Sequence, residues 1–363
     1  MFFKRVPASQ PRRTLAPAVA GAMRGSQAVD SSEMGSEESV HQVPDDDAKQ
    51  TTDEAVLRHL EWTVLKRLDG LLQGDYRTLL RGFGLDFAGL REYQHEDDVR
   101  YIDWNVTARM DSPYVRQFSE DRDMNAWFLV DLSPSSDFGS VRSRTLAAPP
   151  VTKRDLSTQF VAALARLLSQ HGNRTGAMIY GSTVDTIIPP RCDRRHVLHL
   201  LHRLRHRPVL GAVGPTRLEV LLGRAAETIK RRSAVFLVSD FISEPGWEKP
   251  LAQLAQRHDV VAVQVSDPLE QTLPDLGLIT MEDPETGEQL FVDTSDKGFR
   301  ARFETLATER NESLRRTFAR LGVDQLMLAT DQSLLDNLVR FSQARKRRPS
   351  SNLPANLPTA RAA

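Results

Sequence analysis

Three oxygen-bearing side chains follow a short apolar run at a spacing of two residues. Asp131, Ser133 and Ser135 come directly after residues 127–130, a stretch as continuously apolar as a strand buried on both faces. The first polar residue after such a strand marks its carboxyl end, which is the edge where open α/β sheets bind ligands. One carboxylate and two hydroxyls are hard oxygen ligands, which Mg²⁺ and Mn²⁺ prefer. The sequence therefore predicts a divalent cation site at this position.

A second carboxylate and a third hydroxyl are expected to join this site. The apolar run 234–238 is followed closely by Asp240, and Thr216 follows a Gly-Pro pair where a helix begins. The first and fourth strands of a doubly wound sheet are neighbours where the strand order reverses, so Asp131 and Asp240 should face one crevice. A D-x-S-x-S string alone is a weak signal, because serines after a strand often cap the next helix. The full candidate metal set is Asp131, Ser133, Ser135, Thr216 and Asp240.

The elements that position these residues alternate between strand and helix. Apolar residues at helical spacing predict helices over 156–168, 196–204, 218–229, 299–321 and 334–343. Strands are predicted at 175–180, 184–188, 234–238, 260–265 and 325–329, and a hairpin over 278–292 turns at 285–287. This order predicts the α/β class: a doubly wound, mostly parallel sheet with a small N-terminal lobe and an inserted β-hairpin.

Composition divides the 363 residues into four parts. Residues 1–52 contain few large apolar residues and are expected to form a disordered arm, followed by an N-terminal lobe over 53–123, the α/β domain over 124–343 and a disordered basic tail over 344–363. The 48 basic and 48 acidic residues balance, so no net field attracts nucleic acid or acidic lipid. The single cysteine, Cys192, excludes an intramolecular disulfide. No apolar stretch reaches the about 20 residues that span a bilayer, and we expect a cytoplasmic protein.

The candidate ligand set resembles the metal-ion-dependent adhesion site of von Willebrand factor A domains, which combines D-x-S-x-S with a separate Thr and a separate Asp. The resemblance implies that Ser133, Ser135 and Thr216 supply hydroxyl ligands. Asp131 and Asp240 would act directly or through water. Because two carboxylates only neutralise a dication, such an ion would keep an open position for a carboxylate from a partner.

Residues 90–109, LREYQHEDDVRYIDWNVTAR, resemble the signature of the bacterial domain of unknown function family 58, in which a von Willebrand A-like domain follows. The matching residues are Arg91, Tyr93, Asp97, Asp98, Arg100, Ile102, Asp103, Trp104, Ala108 and Arg109. Residues 265–277 and 283–294 are also similar to that family. The chain departs from it at Glu96, where glycine is common, and at Ser136, where methionine often stands. The resemblance implies a non-catalytic, Mg²⁺-dependent interaction module that works with a MoxR-type AAA+ ATPase on client proteins.

Two other functions remain open. The carboxylates of Asp97, Asp98 and Asp103 could form the metal centre of a hydrolase. Interleaved arginines favour structural ion pairs there instead: Arg91, Arg100 and Arg109. Residues 191–207, rich in Arg and His, could form a basic nucleic-acid adaptor. In most basic amphipathic helices, however, the charged residues only form the face that is exposed to solvent. The sequence contains no H-E-x-x-H, phosphate-loop or G-x-S-x-G motif, so we expect neither an enzyme nor a nucleic-acid-binding protein.

Overall fold

A computed structural model describes residues 2–3, 53–58, 86–94, 97, 99, 102–110, 112–119, 125–142, 150–208 and 214–347. Its strands are β1 (Phe2–Phe3), β2 (Asp86–Glu92), β3 (Tyr114–Ser119), β4 (Asn125–Asp131), β5 (Val141–Arg142), β6 (Pro150–Val151), β7 (Arg174–Tyr180), β8 (Val184–Arg191), β9 (Ala234–Ser239), β10 (Asp259–Ser266), β11 (Leu278–Glu282), β12 (Gln289–Asp293) and β13 (Asp324–Ala329). Its helices are α1 (Trp104–Met110), α2 (Lys153–Gln170), α3 (Arg194–Arg205), α4 (Leu218–Thr228), α5 (Glu248–Arg257), α6 (Lys297–Leu321) and α7 (Leu334–Arg347).

A six-stranded sheet in the order β13-β10-β9-β4-β7-β8 forms the centre of the fold. All neighbouring strands run parallel except β8, which pairs antiparallel with β7. The strand order reverses at β4, whose neighbours are β7 and β9. The predicted α/β class and doubly wound, mostly parallel sheet are therefore confirmed.

Helices cover both faces of this sheet, which explains why β4 and β9 are apolar without interruption. Phe128 of β4 stacks on Phe236 of β9 with ring centroids 5.4 Å apart, and the edge of Phe160 from α2 meets both rings. That face is closed by α2, α3 and α7. Trp127, on the opposite face, belongs to a second core formed with α4, α5 and α6. Successive β4 side chains therefore serve two cores, as the period of two in a strand requires.

The start of α2 is fixed by its own sequence. The Thr152 hydroxyl accepts a hydrogen bond from the Asp155 backbone N–H, and the Asp155 side chain accepts one from the Thr152 backbone N–H. This reciprocal capping box satisfies two N–H groups that a helix otherwise leaves unpaired. Lys153 consequently occupies the first turn of α2.

Among the described residues, three smaller sheets accompany the main one, and the smallest is the antiparallel pair of β5 and β6. In the N-terminal lobe β2 pairs antiparallel with β3. The predicted hairpin is present as β11 and β12, and β1 adds to its edge opposite Met281 and Glu282. Residues 53–58 form a helical turn whose Leu57 is buried in the core that contains Phe128, so this stretch contacts the α/β domain directly. Of the arm predicted to be disordered over 1–52, the structure describes Phe2–Phe3, which form a strand instead, and residues 4–52 lie outside the described residues.

The predicted start of the basic tail at residue 344 needs correction. Helix α7 continues to Arg347, and the Arg345 side chain is only 3% exposed. Its guanidinium lies 2.8 Å from Asp259 Oδ1 and 2.7 Å from Asp324 Oδ2, at the amino ends of β10 and β13. The helix extends because this buried arginine pairs with two carboxylates. Residues 348–363 lie outside the described residues.

Candidate metal centre

The loop after β4 holds three of the predicted ligands close together. Asp131 is 4% exposed, and its Oδ1 accepts a hydrogen bond of 3.0 Å from the Ser133 backbone N–H. A short 3-10 turn over Pro134–Asp137 brings the Ser135 hydroxyl to 3.1 Å from that of Ser133. Ser133 and Ser135 are each 1% exposed. A carboxylate and two hydroxyls thus meet within one buried turn.

The neighbouring strand brings Asp240 to the same place. Val130 and Val238 are paired across β4 and β9, so the residues that follow them emerge side by side. The Ser239 hydroxyl donates to Asp131 Oδ2 at 2.7 Å. One cavity is lined by both carboxylates, these three serines and four further residues; the lining is Asp131, Ser133, Ser135, Ser136, Lys153, Ser157, Ser239, Asp240 and Val265. The structure brings together four of the five predicted ligands.

Lys153 is a member of this site that sequence reasoning missed. Its ammonium, 2% exposed, lies 2.6 Å from Asp240 Oδ2 and 2.6 Å from Glu270 Oε1. Burial opposes a charged ammonium, but the Asp240 and Glu270 carboxylates outweigh it and raise the pKa of Lys153 above its usual value. The capping box at Thr152 was the available signal, because it fixed the start of α2 and hence the place of the lysine.

The two aspartates differ in their electrostatic surroundings. Burial, followed by the nearby negative charge of Asp240, raises the pKa of Asp131 to about 6. Burial works in the same direction on Asp240, but the Lys153 ammonium outweighs it and holds the pKa of Asp240 below its usual value. Both oxygens of Asp240 already accept hydrogen bonds, which leaves them less available to bind a cation: Oδ1 accepts from the Ile242 backbone N–H and Oδ2 from the Lys153 ammonium. Asp131 is therefore the carboxylate whose charge most needs a cation.

Thr216, the fifth predicted ligand, does not line the cavity. Its hydroxyl donates to Glu285 Oε1 and its backbone N–H to Glu285 Oε2, both at 2.6 Å. Gly214 adopts a φ of +96° that favours glycine, and its N–H donates to the Glu285 backbone carbonyl. Burial raises the pKa of Glu285, and the charges of Asp240 and Asp131 add to the rise, so this carboxylate is within electrostatic reach of the cavity. The sequence indicated the hairpin turn but not this contact.

The donor set of the cavity fits a small hard cation. Asp240 is engaged by the Lys153 ammonium, and the remaining polar groups of the lining are the Asp131 carboxylate and hydroxyls, the oxygen ligands that Mg²⁺ prefers. The Ser136 hydroxyl also lines the cavity and is buried without a hydrogen-bond partner among the described residues. Such a group costs free energy unless water or an ion satisfies it. The contacts of Asp240 leave it better placed to act through water than as a direct ligand.

The signature residues of the N-terminal lobe have structural contacts. Arg91 forms a two-pronged ion pair with Asp97, with nitrogen–oxygen distances of 2.7 and 2.5 Å. Asp103 Oδ1 accepts from two backbone N–H groups at the start of α1. These contacts favour ion pairing and helix capping over the hydrolase centre. The backbone N–H of Tyr93 donates to Pro113, Trp104 and Arg109 are exposed on α1, and Asp98 and Arg100 lie outside the described residues.

A family model described as "Protein of unknown function DUF58" matches residues 89–313. The chain belongs to this family. An uncharacterized protein of Mycobacterium tuberculosis H37Rv is 36% identical to this DUF58 chain over 293 residues, which cover 81% of the chain and 90% of the relative. An uncharacterized protein of Mycobacterium avium is 32% identical over 164 residues, or 45% of the chain and 95% of the relative.

Solved structures similar to the DUF58 chain include BatB of Bacteroides thetaiotaomicron, a conserved hypothetical protein. It is 13% identical with a TM-score of 0.39 and covers 62% of this chain and 100% of its own. The SpRpn10 VWA domain is 15% identical with a TM-score of 0.32, covering 60% of this chain and 93% of its own. Among the helices that the structure describes in the DUF58 chain, none has both the length and the apolar character to cross a bilayer.

Proposed function

We propose that this DUF58 protein is a non-catalytic, Mg²⁺-dependent protein-interaction module of the cytoplasm, with a von Willebrand A-like domain that carries the binding site. One observation supports this most. At the carboxyl ends of β4 and β9, a single cavity is lined by Asp131, Ser133, Ser135 and Asp240, together with the Ser136 hydroxyl, which has no hydrogen-bond partner in the part of the chain that the structure describes. This is the edge at which doubly wound folds bind their ligands.

Each residue of the candidate site would have its own role in binding the cation. Asp131 would supply the negative charge, and the Ser133 and Ser135 hydroxyls would supply neutral oxygens. Asp240 would act through water while Lys153 limits the total negative charge of the site. Thr216 does not line the cavity, and because its hydroxyl donates to Glu285, it would join the site only through the lone pairs of its hydroxyl oxygen. A bound cation would offer an electrophilic position to a carboxylate of a protein partner.

The partner we propose is a MoxR-type AAA+ ATPase that acts on the assembly or activation of client proteins. Membership of the DUF58 family supports this partner through the resemblance described above. The absence of a G-x-x-x-x-G-K-[ST] phosphate loop from the sequence fits a module that borrows its energy from another chain.

Cation binding is tested first, by thermal unfolding of the full chain in chelator and in Mg²⁺ or Mn²⁺. At a hundredfold excess over the dissociation constant, a cation that binds only the folded state stabilises it by about 2.7 kcal/mol. For a protein of this size that corresponds to a rise in the melting temperature of roughly 4 °C. The rise should disappear in Asp131→Ala. It should persist in the control Asp331→Ala, an exposed aspartate after β13 at the same edge of the sheet.

Partner binding is tested next, by capture of the purified ATPase on immobilised wild type and on both variants. Capture should require Mg²⁺, fail in chelator and fail for folded Asp131→Ala, with circular dichroism as the measure of folding. Equal capture under all these conditions would mean that the partner binds elsewhere. A cation-induced rise in melting temperature that is unchanged in Asp131→Ala would remove the cavity as the metal site.

A further inference from the structure

A second group of possible metal ligands lies on the outer side of α3, apart from the cavity after β4. Asp53, at the start of the helical turn 53–58, is 2% exposed and faces two histidines that are one turn apart on α3. Asp53 Oδ2 is 2.9 Å from His202 Nδ1 and 3.2 Å from His206 Nε2. The two imidazole centroids are 4.4 Å apart. Two imidazoles and a carboxylate therefore converge on one point.

The geometry of this group suits a tetrahedral ion. Histidines at positions i and i+4 of a helix lie on the same face, which is the arrangement of paired zinc ligands in H-x-x-x-H helices. With metal–ligand bonds of about 2.0–2.1 Å, adjacent ligand atoms of a tetrahedral site are about 3.3 Å apart. The observed separations of 2.9 and 3.2 Å from Asp53 Oδ2 need an expansion of only a few tenths of an ångström. All three candidate ligand atoms lie within 4.8 Å of one another.

The surroundings of Asp53 fix its orientation. Arg205 donates to Asp53 Oδ1 at 2.7 Å, Oδ2 faces His202, and His206 Nε2 lies 3.2 Å from each of the two carboxylate oxygens. A carboxylate that binds a metal through one oxygen commonly accepts a hydrogen bond on its other oxygen. The histidine side chains are 31% and 28% exposed, so solvent can reach the fourth position of a tetrahedral site. Without an ion, the same contacts serve as hydrogen bonds between the carboxylate and the imidazole N–H groups.

We propose that Asp53, His202 and His206 bind Zn²⁺, or another divalent transition metal that favours imidazole, and thereby fasten residues 53–58 to α3. The ligands distinguish this site from the cavity after β4. Two imidazoles and one carboxylate suit zinc, whereas Mg²⁺ prefers a shell made of oxygen atoms alone. The ion would join residues 149 positions apart in the sequence, beside Leu57 in the core. The site does not depend on the proposed function.

The test measures Zn²⁺ binding to the tag-free full chain by calorimetry after treatment with chelator, and the absorption of the Co²⁺ form in parallel. We expect one strong equivalent of Zn²⁺, a tetrahedral Co²⁺ spectrum and no competition from Mg²⁺. The double variant His202→Ala/His206→Ala should bind Zn²⁺ at least about tenfold more weakly, because even groups that only support metal ligands contribute that much. Asp53→Asn, which keeps the shape of the side chain, should also weaken binding.

Two matched controls separate the site from other causes. His199→Ala removes an exposed histidine one turn earlier on α3 and should bind Zn²⁺ like the wild type. Asp131→Ala should bind Zn²⁺ normally even if it has lost its response to Mg²⁺. If the wild type binds Zn²⁺ no more tightly than the folded double variant, or if His199→Ala weakens binding equally, the proposal is overturned. Binding that survives in both Asp53→Asn and the double variant likewise overturns it.

Discussion

Replacement of Lys153 by methionine removes the ammonium that joins Asp240 to Glu270 while it keeps most of the side-chain volume. The three side chains are 2%, 5% and 11% exposed, so water cannot solvate the two carboxylates that lose their partner. Removal of one member of a buried ion pair costs about 3–5 kcal/mol, and here a single ammonium serves two anions. We therefore expect the free energy of unfolding to fall by about 3–5 kcal/mol and the melting temperature to fall by roughly 5–8 °C.

The measurement is urea unfolding of wild type and Lys153→Met at neutral pH in chelator, so that no added cation replaces the ammonium. Lys230→Met serves as the control, since Lys230 is exposed after α4 and an exposed charge contributes less than about 1 kcal/mol. In the double variant Lys153→Met/Glu270→Gln one unpaired charge is removed, and part of the lost stability should return. If Lys153→Met unfolds within about 1 kcal/mol of the Lys230→Met control, the ammonium does not hold these carboxylates and the charge balance described for the cavity is wrong.

Three other perturbations have defined outcomes. Arg345→Met removes the guanidinium that pairs with Asp259 and Asp324, whose side chains are 16% and 15% exposed, and should lower the free energy of unfolding by up to about 3 kcal/mol; an unchanged urea midpoint would contradict the ion pairs at the base of α7. Glu285→Gln keeps the shape that holds Thr216 but removes its charge, so the affinity for Mg²⁺ in calorimetry should fall with little change in the melting temperature measured in chelator; equal affinity would separate Thr216 from the site. The Arg91 hydrogen bonds, followed by one from the Gln94 backbone, lower the pKa of Asp97, so an NMR titration should find its midpoint below the usual aspartate value. The stability from this pair should be complete above that usual value and be lost as the pH falls through the lowered pKa, and Arg91→Met should move the midpoint upward.

The strands of the main sheet could be predicted from the sequence, because the apolar pattern of a strand is visible in a few consecutive residues. The uninterrupted apolar runs of β4 and β9 identified buried parallel strands, and the rule for doubly wound sheets then placed Asp131 and Asp240 side by side. Helix ends were less certain, as Arg345 shows, since its partners at the ends of two distant strands are invisible in a local pattern.

The charged partners of the candidate site could not be predicted for the same reason. Lys153 and Glu270 are 117 positions apart, and a lysine in the first turn of a helix usually faces solvent. Glu285 was assigned to a turn, where acidic residues are common. Its carboxylate contacts Thr216 because of the way the hairpin packs. The apolar periodicity of the sequence contains no information about that packing.

The central position of β4 has a consequence during synthesis of the protein on the ribosome. This strand is the first of its sheet to be synthesised, yet one of its neighbours, β9, follows only after more than a hundred further residues. At about 5–20 residues per second, the apolar edge of β4 waits on the order of ten seconds for Ala234–Ser239 to emerge. Unpaired apolar strand edges attract other chains. Cotranslational protection of the nascent chain should therefore matter most in the interval between the synthesis of β4 and that of β9.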